Sequence, residues 1–213
     1  MSNAIQYVER NRIQDGGGIN DFSVERYAQV ARHISPDARI ILDVGCNNGV
    51  GAAPLRHRAP AAKLIGLDCV PERLSEAAKV FDETVEGFAS RLPLNDRSAC
   101  AVVACEVVEH LTRSDAELFL AEASRVLHAG GRIVLTTPNP RYIKLYCTGR
   151  KVTDDVAHLS AYSMSTLKKM LVRNGFDIVR AEGTGRVSRH IGARVPLPFI
   201  YGSYLLVGSR SSK

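Results

Sequence analysis

At 213 residues and 45% hydrophobic composition, the chain is long enough for one well-packed α/β domain and too short for two of ordinary size. Its five cysteines, Cys46, Cys69, Cys100, Cys105 and Cys147, are odd in number and form no C-x-x-C pair. They suggest neither a disulfide framework nor a structural zinc site, and reduced thiols fit better. No charged-then-apolar leader appears and no apolar run approaches the roughly 18 residues needed to span a bilayer, so a soluble, unexported cytoplasmic protein is expected.

The net charge of +6 is unevenly spread: residues 141–213 hold 13 Lys/Arg against 4 Asp/Glu, a net of +9, whereas residues 1–140 hold 15 against 18, a net of −3. If the last third faces a substrate, that substrate is acidic: phosphorylated, nucleotide-linked, carboxylated or a nucleic acid. The competing reading is a solvated basic surface.

In chain order, Gly16-Gly17-Gly18 marks a flexible joint after a polar leading segment. From Ser23, Val24, Tyr27, Ala31 and Ile34 fall at helical spacing, giving a helix that ends before Ser35-Pro36 and either lies over a ligand cleft or pads a sheet edge. Ile40, Ile41, Leu42 and Val44 then read as a buried parallel strand, with Asp43 at its carboxyl end and Gly45, Gly49 and Gly51 in the turn beyond. Ala52, Ala53 and Leu55 resume as a helix. Open α/β sheets gather ligands at this end of their strands.

The order G-x-x-x-G-x-G lacks the second glycine of the dinucleotide fingerprint G-x-G-x-x-G, that place being Asn47, so a nicotinamide-dependent oxidoreductase is disfavoured. Lys63 to Asp68 repeats a short apolar strand ending in an acid, and Asp68 lies 19 residues past Gly49, near the offset at which a carboxylate meets a ribose diol. Two strand-end acids suit a ligand with an ammonium group and a ribose. At Asp43-Val-Gly-Cys-Asn-Asn-Gly the chain resembles the class I S-adenosylmethionine-dependent methyltransferases, whose first motif usually reads D-V-G-C-G-x-G. Asn47 departs from the usual middle glycine.

Pro71 suits the first turn of a helix carrying Leu74, Ala77, Ala78 and Phe81. A weak third strand follows at Thr84 to Phe88, and Phe88 stands where related methyltransferases often place an acid on the adenine amino group, leaving the backbone of Phe88 and Ala89 and the ring for that contact. Ala99 to Cys105 is a fourth buried strand delivering Glu106-Val-Val-Glu-His-Leu111, a loop phrase the family commonly carries near the methionine end of the cofactor. Ser114-Asp-Ala-Glu117 reads as a capping box for a helix with Phe119, Ala123, Val126 and Leu127, stopped by Gly130-Gly131. The phrase Arg125-Val-Leu-x-x-Gly-Gly-x-Ile-x-x-x-x-Pro-Asn139, with the fifth strand from Gly131, resembles the same family. After a helix from Ser163 to Asn174, a strand from Phe176 to Ala181 and a basic connection lead to a last strand at Tyr201 to Val207.

The resemblance covers about Ile40 to Phe176 and implies a Rossmann-like α/β fold: a mostly parallel seven-stranded sheet with an antiparallel last strand and helices on both faces. It organises the chain as a single methyltransferase domain, with an N-terminal segment and lid-like helix (1–36), a cofactor-binding core (37–138), an acceptor-facing insert (139–162) and a C-terminal helix and strands (163–213). S-adenosyl-L-methionine, with S-adenosyl-L-homocysteine as product, is the implied cofactor, held by Asp43, Gly45, Cys46, Asn47 and Gly49, by Asp68 and Cys69, by Phe88 and Ala89, and by Cys105 and Glu106.

Methyl transfer from a sulfonium is an in-line displacement governed by positioning, and a hydroxyl or protonated amine acceptor also needs a base. His158 and His110 are the catalytic candidates; each has a structural alternative, as a helix-entry cap for His158 and a loop hydrogen bond for His110. If the loop coils into a helical turn, Glu106, Glu109 and His110 share one side and His158 completes a divalent site, as in ubiquinone-pathway O-methyltransferases and small-RNA terminal methyltransferases that look similar there. Many relatives carry the phrase as structure only, and the reading adopted assigns no metal. The insert's Arg141, Tyr142, Lys144, Tyr146, Arg150 and Lys151 suit a phosphate beside a sugar or base. With no dedicated nucleic-acid domain, a small anionic acceptor modified on O or N is preferred. The alternative is a non-catalytic scaffold partner of another methyltransferase, to which Asn47 and Phe88 point.

Overall fold

The computed structural model describes residues 3–13, 21–184 and 198–211. Gly16-Gly17-Gly18 and most of the basic connection before the last strand lie outside the described residues.

Seven strands form one sheet in the order β3-β2-β1-β4-β5-β7-β6. β1 (Ile40–Val44) pairs in parallel with β2 (Lys63–Asp68) on one side and with β4 (Ala99–Cys105) on the other. β3 (Glu83–Glu86) extends the parallel array beyond β2, and β5 (Leu127–Pro138) extends it beyond β4. β7 (Ser203–Arg210) runs antiparallel to both β5 and β6 (Phe176–Thr184). The chain reverses its direction of growth between β1 and β4, so their carboxyl ends part and leave a crevice.

Period-two alternation sends side chains of one strand to opposite faces. Leu42 and Val44 of β1 join Val102 and Ala104 of β4 in one core layer with Phe119, Leu120, Leu167 and Met170. Ile41, Ala101, Val103 and Cys105 join the opposite layer with Tyr27, Val30, Ile34 and Leu55. Helices therefore cover both faces: α5 (Arg113–Val126) and α7 (Met164–Arg173) on the first, α2 (Asp21–Ala31) and α3 (Ala52–Arg58) on the second. Burying strands on both sides is what makes β1 and β4 nearly continuous apolar runs.

Several boundaries differ from those the sequence suggests. α2 starts at Asp21, two residues before Ser23. α4 (Pro71–Ala77) ends before Phe81, which packs beyond the helix. Residues 88–98 form an irregular connection with no helix, breaking the strand-helix rhythm. The cap of α5 is Thr112, whose side chain accepts from the Asp115 N–H, so Ser114 lies inside the helix rather than at its head. That helix stops at Val126 because Leu127 is already extended (ψ 137°), and Gly130 (φ 77°) forms a bulge within β5. β6 and β7 each run about three residues past the expected ends.

Two further helices complete the described chain, α1 (Asn3–Ile13) and α6 (Ile143–Thr148). No helix among the described residues is long and apolar enough to cross a membrane. All five cysteines are free.

Candidate functional site

The crevice at the carboxyl ends of β1, β2 and β4 holds a cavity of about 420 Å³, within the usual range for a small-molecule site. Its floor is the turn after β1. Gly45 adopts φ 70°, Asn47 φ 50° and Gly49 φ 92°, a left-handed region where glycine is at ease and asparagine is the side chain that best substitutes. Asn47 thus carries out the conformational task of the glycine it replaces. A Cβ at Gly45 would stand 2.7 Å from the Val107 side chain, so the close approach of the turn to the loop after β4 also requires glycine. The Gly45 and Cys46 N–H groups both donate to the Leu67 carbonyl, at 2.7 and 3.0 Å, pinning the turn to β2.

Asp68 ends β2 almost fully buried at the cavity wall. Its Oδ2 accepts from the Asn47 N–H and its Oδ1 from the Val70 N–H, both at 2.9 Å, with Arg73 Nη1 at 3.9 Å from Oδ1. Burial raises its pKa, opposed by the Val70 N–H, the Arg73 charge and the Asn47 N–H. Each carboxylate oxygen has a second lone pair for a hydroxyl donor.

Asp43 lies beneath the turn, fully buried and outside the cavity lining. Its Oδ1 accepts from the Tyr27 hydroxyl at 3.1 Å, and Oδ2 has no hydrogen-bond partner among the described residues. Burial pushes this carboxyl up to about 8, against the Tyr27 hydrogen bond and with a further push from Asp68. Cys46 and Gly49 are also absent from the lining: Cys46 is buried against Gly66, and Gly49 backs onto Ala77 and Val80.

Gly45, Asn47, Asp68, Cys69, Phe88, Ala89, Cys105, Glu106, His110 and His158 all meet at the cavity. The Phe88 ring stands 6.0 Å from that of Tyr7 on α1, centroid to centroid. α1 is held there by Arg73, whose Nη2 donates to the Asn11 carbonyl at 2.5 Å, and by Arg12 donating to Glu72 at 2.8 Å. On the N-terminal side the cavity is lined by Tyr7 and Asn11 of α1 and by Ser23, Arg26 and Tyr27 of α2. Tyr7, Asn11, Arg26, Arg73 and Val107 are lining residues the sequence reading missed. The spacing of Asp68 to Arg73 across a Pro-initiated helix was a usable signal for one of them, whereas nothing local announces that α1 folds back over the turn.

Glu106 adopts φ 55° and faces α2, with Oε1 3.7 Å from Arg26 Nε and Oε2 accepting from Ser203 Oγ at 3.3 Å. The loop does coil, as a 3-10 turn Val108–His110, yet Glu106 lies outside the group that it forms. Glu109, His110 and His158 place one potential ligand atom each within 4.8 Å of one another. Glu109 is fully buried, accepts from the Thr137 hydroxyl at 3.0 Å, and is pushed well up by burial and then by the Glu106 charge. Its carbonyl accepts from the Leu159 and Ser160 N–H groups, which ties the His158 segment to the loop. The two imidazoles meet edge to face at 4.8 Å. Burial, then the His158 charge, lowers His110 to about 4, so it is neutral at pH 7. His158 Nδ1 sits 2.8 Å from the Val152 carbonyl; that carbonyl can only accept, so Nδ1 carries the hydrogen and Nε2 is the basic nitrogen.

The strand order, the glycine turn at a strand end and the buried acid closing the next strand together define a Rossmann-like methyltransferase fold of class I. Residues 42–135 match the family described as a methyltransferase domain. In sequence and in fold the chain is similar to class I S-adenosylmethionine-dependent methyltransferases. It is 30% identical over 134 residues to a fatty-acid O-methyltransferase of Mycolicibacterium smegmatis, covering 61% of this chain and 48% of that protein. It is 35% identical over 116 residues to a demethylmenaquinone methyltransferase of Deinococcus radiodurans, covering 52% and 47%. A solved S-adenosylmethionine-dependent methyltransferase from Archaeoglobus fulgidus superposes with a TM-score of 0.70 at 20% identity, over 98% of this chain and 100% of the other. The chain spans about half the length of the curated relatives it matches.

Proposed function

We propose that the chain binds S-adenosyl-L-methionine in this cavity and transfers its methyl group to an oxygen or nitrogen of a small anionic acceptor. The observation that carries the reading is the convergence of the left-handed glycine turn, the Asp68 carboxylate and the Glu106 loop on one cavity of about 420 Å³. When bound, the cofactor supplies an electrophilic methyl on a sulfonium, open to in-line displacement and leaving S-adenosyl-L-homocysteine.

Asp68 would hold the ribose hydroxyls through its unused lone pairs, and the turn at Gly45 and Asn47 would lie against the nucleoside. Phe88 and Tyr7 offer apolar ring surface to the base, with the backbone at Phe88 and Ala89 beside it, and Cys69 and Cys105 line the walls. Glu106 would meet the ammonium group, while Asp43, held mostly protonated at pH 7 by its burial, braces the turn from beneath through its hydrogen bond with Tyr27, where Cys46 and Gly49 support its shape. His158 would receive the acceptor's proton at Nε2. His110, neutral and packed against it, orients the ring. An anionic acceptor is supported by the basic insert and by the relative named for a fatty acid, a carboxylate.

Against the scaffold reading stand the left-handed backbone of Asn47, which matches what a glycine there would adopt, and the place of Phe88 at the cavity wall. Calorimetric titration with S-adenosyl-L-homocysteine tests the proposal. The native chain should bind, and Asp68→Ala should weaken binding by roughly 10- to 100-fold, the worth of hydrogen bonds to a charged group. Absence of binding by the native chain would refute it.

A further inference from the structure

α6 buries none of its residues, so packing does not explain its composition. Ile143 and Tyr146 are three residues apart and share one side of the helix; they are 44% and 86% exposed. Val156, two residues before His158, is 70% exposed, and Phe199 in the 3-10 turn Pro198–Ile200 is 43% exposed. Hydrogen bonds place these groups at one end of the sheet. The Asn139 N–H donates to the Gly202 carbonyl and its side-chain amide to the Tyr201 carbonyl, both at 2.8 Å, stitching the start of the insert to the segment beside Phe199. The insert's far end returns to the cavity at His158.

Interleaved with the apolar groups stand Arg141, Lys144, Arg150 and Lys151, all exposed and none forming an ion pair with a described residue. The acids of the same stretch, Asp154 exposed and Asp155 half-buried, each accept a backbone hydrogen bond, from the Lys151 and Ala157 N–H groups respectively, and are outnumbered by the four cations. Cations around an exposed aliphatic and aromatic ridge match an anionic bilayer, where phosphates meet Lys and Arg while the ridge enters the headgroup boundary. A nucleic acid would use the cations and Tyr146 but gives no role to Ile143, Val156 or Phe199.

We propose that this rim, centred on α6, docks reversibly on an anionic lipid surface. The docking goes beyond methyl transfer and stands without it; its consequence, delivery of a lipid-phase acceptor beside His158, rests on the methyltransferase reading.

Flotation of the full chain with vesicles tests the docking. Phosphatidylcholine vesicles containing about one-third phosphatidylglycerol should carry the chain up the gradient, pure phosphatidylcholine far less, and added salt should weaken the association. Ile143→Ser with Tyr146→Ser should reduce binding at least about tenfold, from lost apolar burial in the interface. Lys144→Glu with Arg150→Glu should abolish it. Titration with S-adenosyl-L-homocysteine reports separately on the cofactor reading, and thermal melts with a midpoint like the native chain's show that the variants fold. Failure of the native chain to bind anionic vesicles would overturn the docking, as would apolar variants that bind normally. Equal loss to a single-stranded oligonucleotide competitor, with the apolar ridge immaterial, would make the rim a polyanion site and overturn it too.

Discussion

Asp43 is a carboxylate at an energetic disadvantage. It is enclosed by Tyr27 of α2, by Asp68 of β2 and by the thiols of Cys46 and Cys105, and among the described residues only Tyr27 donates to it. An exposed aspartate titrates near pH 4, whereas this one titrates at about 8 in the folded chain. The folded state therefore binds the extra proton between those values, and the associated stability is intact below about pH 4 and lost as pH rises through about 8. Asp43→Asn removes that dependence. In thermal melts between about pH 5 and pH 9, the midpoint of the variant should fall less than that of the native chain; parallel curves would contradict the assignment. At His158 the expected effect is on turnover. His158→Ala should lower kcat by roughly 10²- to 10⁴-fold, the span of general-base catalysis, while leaving affinity for S-adenosyl-L-homocysteine unchanged. Thorough chelation should leave native turnover intact; a loss restored by a divalent ion would reassign Glu109, His110 and His158 as ligands.

Elements were legible where the signal is local, and less so where it depends on what packs against them. The acid-ended strands β1 and β2 show in the sequence because strands buried on both faces must be apolar throughout. The head of α5 was misread because Thr112 and Ser114 both suit a cap and only the chain's path decides between them. With Thr112 accepting the Asp115 N–H at 3.2 Å, Thr112→Ala should cost about 1 kcal/mol, lowering the melting midpoint by about 2–4 °C for a chain of this size. Ser114→Ala should shift it by less than about 1 °C, since an exposed serine inside a helix gains little from its hydroxyl. The reverse ranking in thermal melts would restore the capping box to Ser114. α1 was the least legible element. Its placement rests on Arg73 and Glu72, some 60 residues away in sequence, and pairings of that range leave no periodic trace.

At the scale of the whole molecule, the cavity joins parts that share no contact in sequence: α1 and α2, the turns after β1 and β2, the loop after β4, and His158 of the insert. A ligand that touches them all binds only the folded chain, so it stabilises by mass action. At about 100 times its dissociation constant, S-adenosyl-L-homocysteine should add about 2.7 kcal/mol, which corresponds to a rise of roughly 5–10 °C in the melting midpoint for a chain of this length. Tyr7→Ala separates the contribution of α1 from that of the turn. If α1 closes over the bound nucleoside, the variant should keep the ligand-free midpoint to within about 2 °C yet lose affinity by roughly 2- to 10-fold, the worth of one aromatic contact. Unaltered affinity in the variant would mean that α1 only shelters Asp68 and Arg73 from water, and that the core from β1 to β4 holds the nucleoside without it.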